Sequence, residues 1–167
     1  LEGGFSREQA PVDVEQNPVL EQAIQVGVLC SNAKLNGAPD QQVDAVGEPI
    51  EVALLVAGAK AGLRRDTLTD QMPEVREVAF DPEVKMMATF HQQEQDYLVA
   101  VKGAPEAVLA ASDQRKREDG QVESLSQSDR ETWLEKNERL AAQGLRLLAL
   151  AVKQVDSADA PPYENLT

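Results

Sequence analysis

Residues 97–109, Tyr-Leu-Val-Ala-Val-Lys-Gly-Ala-Pro-Glu-Ala-Val-Leu, leave this chain few folds to choose from. The run 97–101 is apolar and contains β-branched residues, which predicts a buried strand. Gly103 frees the backbone for a tight turn. Pro105 suits the first position of a helix, where its missing N–H is no loss. Glu106 then falls in the first turn, where the helix dipole favours an acid. Lys102 is expected at the strand's end, its ammonium over the helix start beside free backbone N–H groups. Two readings follow. One is an anion site, with phosphate as the natural occupant. The other is an ordinary strand-turn-helix with a solvated lysine.

The rest of the chain alternates such signals. Asn17-Pro18 reads as a helix cap and first position, with apolar spacing from Leu20 to about Cys30. Residues 1–16 read as an irregular entry with at most a short edge strand, and 34–47 as a loop around Asn36-Gly37 and Pro39. Gly47-Glu48-Pro49 opens a helix whose expected buried face is Ala53, Leu54, Ala57 and Ala61, stopped by Gly62. Residues 64–73 read as a polar link. Two strands are expected at 75–80 and 85–90, joined by Asp81-Pro82, then a hairpin connection at 92–95. Residues 112–127, with Arg115-Lys116-Arg117, read as a solvated loop or exposed hairpin. Ser128-x-x-Glu131 reads as a capping box for a helix with Trp133, Leu134, Asn137, Leu140 and Ala141 on one face, ended by Gly144. A last buried strand is expected at 145–152, interrupted by Arg146. Hairpins mixed with helices predict an α+β fold, a twisted antiparallel sheet flanked by helices in a single domain spanning residues 1–167.

Charge narrows the function. With 29 acidic against 16 basic residues the net charge is −13, which disfavours nucleic acid and anionic membrane surfaces as partners. Any anionic ligand therefore needs the few cations gathered in one place. The single cysteine, Cys30, excludes an internal disulfide and reads as a buried small hydrophobe in a reducing compartment, the alternative being a reactive thiol. His91 reads as an exposed strand-end residue, with no partners for a metal site. No apolar run approaches the ~18 residues of a membrane span. A start without methionine is read as that of a piece of a larger protein.

Four stretches, in order, resemble the nucleotide-binding (N) domain of P-type cation-transporting ATPases. Gly47-Glu48-Pro49-Ile50-Glu51-Val52-Ala53-Leu54 is similar to the family's Gly-Asp/Glu-x-x-Glu-x-Ala-Leu helix start. Phe80-Asp81-Pro82-Glu83-Val84-Lys85-Met86-Met87 is similar to its Phe-x(4)-Lys-x-Met segment. Lys102-Gly103-Ala104-Pro105-Glu106 is its Lys-Gly-Ala-Pro-Glu motif. Gly144-Leu145-Arg146-Leu147-Leu148-Ala149 resembles its Gly-Leu-Arg-x-Leu-Ala strand. Both ends resemble the segments that enter and leave that domain, at Glu2-Gly3-Gly4-Phe5 and Glu164-Asn165-Leu166-Thr167. The first stretch leans toward the type II pumps for calcium, or sodium and potassium. Pro82 also occurs in proton pumps, and the arginine common between Phe80 and Lys85 in calcium pumps is absent.

The resemblance implies a role for each matching residue. Phe80 stacks on adenine and Glu51 accepts from its amino group. Lys85 lines the base and ribose region, Lys102 the pocket floor, Gly103 lets the nucleotide approach the backbone, and Arg146 reaches the phosphates. The residues alone also allow plainer readings: Phe80 as core, Glu51 as a helix-dipole partner, Lys85 as solvated, Arg146 paired with a local carboxylate. The implied function is to bind ATP (Mg-ATP in the parent pump) and swing its γ-phosphate to the phosphorylation domain. The implied partners are ATP and the phosphorylation and actuator domains of the same pump, without direct membrane contact. The implied setting is the cytoplasmic face of an integral membrane protein, and the piece is expected to be monomeric. The alternative is a domain of this shape that has lost nucleotide binding and serves as a docking module. No aspartate is followed by lysine, so the family's phosphorylated Asp-Lys-Thr-Gly-Thr is absent, and there is no Walker A sequence. No catalytic residue or metal ligand is expected here.

Overall fold

In the computed structural model, which describes residues 3–36 and 44–167, the strand-turn-helix forms as predicted. One strand runs Asp96–Gly103, turns at Ala104 and enters a helix at Pro105–Ala111. In chain order the elements are β1 (Phe5–Arg7), β2 (Ala10–Val12), α1 (Pro18–Leu29), β3 (Lys34–Asn36), β4 (Asp44–Val46), α2 (Pro49–Lys60), α3 (Arg65–Gln71), β5 (Glu74–Asp81), β6 (Met86–Gln93), β7 (Asp96–Gly103), α4 (Pro105–Ala111), β8 (Gln114–Lys116), β9 (Val122–Ser124), α5 (Gln127–Ala141) and β10 (Ala149–Val155). The main sheet has the order β10-β7-β6-β5, every neighbour antiparallel. This is the α+β domain expected, an antiparallel sheet flanked by helices.

Alternation along β6 and β7 sends successive side chains to opposite faces, and both faces are covered. Met87, Leu98 and Ala100 pack against Ile24, Val28 and Leu29 of α1, Leu55 of α2 and Leu68 of α3. Met86, Ala88, Phe90, Val99 and Val101 pack on the other side with Val108 of α4 and Leu166 near the C-terminus. Double coverage explains why 97–101 is apolar without alternation. Each fully buried side chain of this size contributes about 1.5–3 kcal/mol. α1 starts as its sequence demands, Asn17 Oδ1 accepting from the Leu20 N–H with Pro18 following.

Several expectations are corrected. The polar link at 64–73 contains α3, a helix without apolar periodicity that is held by one buried residue, Leu68. The buried positions of α2 are Leu55 and Gly58, while Ala53 is exposed. The segment is apolar nearly all round, so spacing could not locate its face. What locates it is α1: a Cβ at Gly58 would meet Val28 Cγ2 at 2.2 Å and the Leu63 carbonyl at 2.6 Å. The capping box is Ser126 with Asp129, two residues earlier than Ser128 with Glu131. Ser126 Oγ accepts from the Asp129 N–H at 3.2 Å, and Asp129 accepts from the Ser126 N–H at 3.1 Å. The expected apolar face of α5 is not buried, and Trp133 stays half-exposed with the Lys136 ammonium 4.4 Å from its ring centroid.

The loop or hairpin at 112–127 is a hairpin, β8 against β9, and its basic triplet is engaged rather than free. Arg115 pairs with Glu123 and Asp129, and Arg117 with Asp119 and Glu123. The entry segment forms the β1–β2 hairpin. The expected loop at 34–47 instead carries β3 and β4, which pair with each other. Its centre at Gly37 and Pro39 lies outside the described residues, as does Glu2. His91 is buried rather than exposed, its Nε2 2.8 Å from Thr89 Oγ1 and its Nδ1 3.2 Å from the Met72 carbonyl. Burial pushes its imidazole down to about 4.

Candidate functional site

The site is organised by two rungs at one end of the sheet. Asp81, Met86, Gly103 and Ala149 pair across the first rung; Met87, Lys102 and Leu150 pair across the second. β5 loses register between Val78 and Asp81, so Phe80 follows a bulge on the sheet's edge strand. Its ring is 59% exposed. It is one of two large aromatics left in water among the described residues, with Trp133 of α5.

Lys102 does not point over the start of α4. Strand alternation places it with Leu98 and Ala100, on the face covered by α1 and α2. There it is only 7% exposed, and its ammonium donates to Glu51 Oε1 in the first turn of α2. Glu51 Oε2 accepts the backbone N–H of Asn32 at 3.1 Å. Asn32 Nδ2 in turn donates to Glu77 Oε1 on β5 at 2.9 Å. A buried lysine requires a counter-charge, and α2 supplies it. Cys30 lies against the same pair. Burial pushes its thiol up to about 12, with the nearby Lys102 charge opposing, so it is the inert small residue expected.

Gly103 is needed for a close backbone approach. A Cβ there would stand 2.4 Å from the Lys85 carbonyl and 2.7 Å from Met86 Cγ. The Lys85 carbonyl instead accepts the Ala104 N–H at 3.0 Å, and Lys85 itself takes a left-handed φ of 58°. Its ammonium reaches Glu106 Oε1 at 3.0 Å, both side chains being about half exposed. Glu106 is held below the usual carboxylate range, first by its own N–H at the start of α4 and then by Lys85. Such an exposed pair contributes little to stability, so Lys85 can exchange partners at little cost.

Arg146 is not within a buried strand. β10 begins only at Ala149, because its partner β7 ends at Gly103 and the two pair residue for residue from that rung. Arg146 is exposed, and no ion pair is found for it among the described residues. Three residues extend at most about 10 Å, so it stays near the Gly103 end of the sheet. The structure therefore joins Glu51 to Lys102 directly and Gly103 to the Lys85 backbone. It sets Phe80 on the neighbouring strand edge and leaves Arg146 outside direct contact with the rest. Asn32 and Glu77 were not anticipated. Neither belongs to a recognisable motif, and no local signal would single out an asparagine after a helix or an acid in a strand.

A groove of about 1470 Å³ borders the same two rungs through Ala149 and Leu150 and is lined further by Leu20, Leu140, Trp133 and Arg115. None of the six predicted site residues lines it. Of the six cations that line it, Arg7, Arg115 and Arg117 are tied to carboxylates of its own wall and Lys116 donates to Gln22. Among the described residues, no helix is long and apolar enough to cross a membrane.

This end of the antiparallel sheet carries an exposed aromatic on its edge strand and a buried, ion-paired lysine on an inner strand. Residues 19–166 match the family described as P-type ATPase, cytoplasmic domain N, and the chain belongs to that family. It is 36% identical over 139 residues to the cation-transporting ATPase pma1 of Synechocystis, covering 83% of this chain and 15% of that protein. It is 32% identical over 132 residues to calcium-transporting ATPase 1 of Bacillus cereus, covering 79% of this chain and 14% of the relative. It is 36% identical over 132 residues to the sodium/potassium exporting P-type ATPase cta3 of Schizosaccharomyces pombe, covering 78% of this chain and 12% of the relative. The chain thus spans under a sixth of the length of each of these three pumps.

Proposed function

We propose that this domain binds ATP by its adenosine end and presents the γ-phosphate to the phosphorylation domain of a P-type cation-transporting ATPase. The observation that carries this reading is the exposed Phe80 ring at the edge of the rung that holds the buried Lys102–Glu51 pair. A purine needs one π-face and one acceptor. Phe80 offers the first and Glu51, held in place by Lys102, the second. Lys85 and Arg146 are the exposed cations at the same end of the sheet, suited to ribose and phosphate oxygens. Gly103 lets the turn into α4 pack closely on the Lys85 backbone at that end. The magnesium that accompanies ATP in the parent pump is proposed to travel with the phosphates.

Stacking contributes about 1–3 kcal/mol, and a few half-exposed hydrogen bonds add little. The sum is roughly −4 kcal/mol, a millimolar constant. Weak binding suits a domain that must hand its ligand on. The reaction itself, phosphoryl transfer to an aspartate, belongs to the phosphorylation domain, where positioning and charge neutralisation do the chemistry. The actuator domain is the further partner in this reading, and the setting is the cytoplasmic side of a membrane pump.

The test is an ATP titration of the 167-residue chain, followed by backbone amide NMR. Shifts clustered at Glu51, Phe80, Lys85, Lys102 and Arg146 are expected. Absence of shifts at ~10 mM ATP, well above the constant estimated here, overturns the reading in favour of a docking module that has lost its nucleotide.

A further inference from the structure

We infer that Asn32 is a positioning residue of the nucleobase pocket, setting the separation between the Phe80 ring and the Glu51 carboxylate. The inference rests on the nucleotide reading above and deepens it. Phe80 and Glu51 stand on different elements, the edge strand β5 and the first turn of α2. An edge strand is held on one side only, and β5 is further loosened by its bulge just before Asp81. Nothing in the sheet's own ladder fixes where its exposed ring stands relative to a helix on the sheet's face.

Asn32 bridges the two. Its backbone N–H donates to Glu51 Oε2 at 3.1 Å and its side-chain amide donates to Glu77 Oε1 at 2.9 Å. Glu77 is three residues from Phe80 on β5. Among the described residues this is the one hydrogen bond from β5 to α2 or to the segment 30–33. An asparagine fits the position for a chemical reason. Its backbone N–H serves Glu51 and its short side-chain amide supplies the donor that the Glu77 carboxylate needs. An aspartate there would oppose Glu77.

Adenine and guanine report on this geometry differently. Glu51, an acceptor only, takes a hydrogen bond from the 6-amino group of adenine but opposes the 6-oxo group of guanine. GTP therefore binds through stacking and phosphate contacts alone. If Asn32 sets the spacing between ring and acceptor, loosening it removes the adenine-specific bond and spares GTP.

The experiment measures ATP and GTP affinity of the full 167-residue chain by NMR titration, with urea unfolding as a control. Asn32→Ala, which keeps the backbone N–H, is expected to weaken ATP about three- to tenfold, the effect of one hydrogen bond, with GTP unchanged and the urea midpoint held. Asn32→Asp alone should lose at least as much, and Asn32→Asp combined with Glu77→Gln should restore ATP affinity, because donor and acceptor have changed places. The inference is overturned if Asn32→Ala leaves the ATP to GTP ratio unchanged, if both nucleotides weaken in step with a lowered urea midpoint, or if the exchanged pair restores nothing. Failure of the unmodified chain to bind ATP overturns the nucleotide reading and this inference together, whereas normal ATP binding with an unaltered ratio in Asn32→Ala overturns this inference alone.

Discussion

Lys102 of β7 and Glu51 of α2 form a buried ion pair that joins the central sheet to the helix layer. The pair is structural, and in the proposed reading functional as well. It satisfies a charge the sheet buries, and it fixes a carboxylate at the edge of the proposed base pocket.

Removing one partner should cost far more than removing both. Lys102→Met leaves the Glu51 carboxyl buried without its partner, and should lower stability by about 3 kcal/mol. Lys102→Met with Glu51→Gln should recover most of that loss. Urea denaturation of the two single variants and the double closes the cycle, and strictly additive losses would contradict the pairing.

Phe80 and Phe90 should behave oppositely. Phe90 is fully buried, so Phe90→Ala should cost about 3–5 kcal/mol. Phe80→Ala should leave the unfolding midpoint nearly unchanged while weakening ATP about five- to a hundredfold, since about 1–3 kcal/mol of stacking is lost. Thermal scans and nucleotide titrations of both variants provide the check.

Gly103→Ala should destabilise the domain by about 1–3 kcal/mol, because the added methyl meets the Lys85 carbonyl at 2.4 Å. That carbonyl is backbone and cannot swing aside. The amide signals of Lys85 and Ala104 should move with the loss. An unshifted turn with full stability would contradict the packing described.

Stability should depend on pH through His91. Its folded imidazole titrates at about 4, against an ordinary value of 6.5, because burial disfavours the charged form and Arg65 adds to the cost. The unfolded chain binds the proton more readily between those values, so stability is fully present above about pH 6.5 and falls as pH drops toward 4. The increment is about 3 kcal/mol. His91→Asn should lose stability near neutral pH and show a shallower slope between pH 4 and 6.5. Equal slopes in parallel urea titrations would remove His91 from the account.

The site was legible wherever local chemistry is unambiguous. Pro105 after Gly103 made the start of α4 readable, and Asn17-Pro18 did the same for α1. The alternation that sets Lys102 beside Leu98 and Ala100 is also a local rule. It identifies a face, but not that Glu51, fifty-one residues away in sequence, is the group waiting there. Arg146 illustrates the same limit. The apolar run 145–152 is long enough for several strand registers, and only pairing with β7 decides that β10 begins at Ala149 and leaves Arg146 outside.

By itself the chain determined its α+β class, its central strand-turn-helix and its family, because these depend on residue order over a few turns and on motifs with fixed spacing. The tertiary structure alone decided that Phe80 faces solvent, that Lys102 turns to α2 instead of α4, and that Asn32 bridges two carboxylates. Those facts come from strand pairing and helix docking between segments far apart in sequence, whose energies no local pattern encodes.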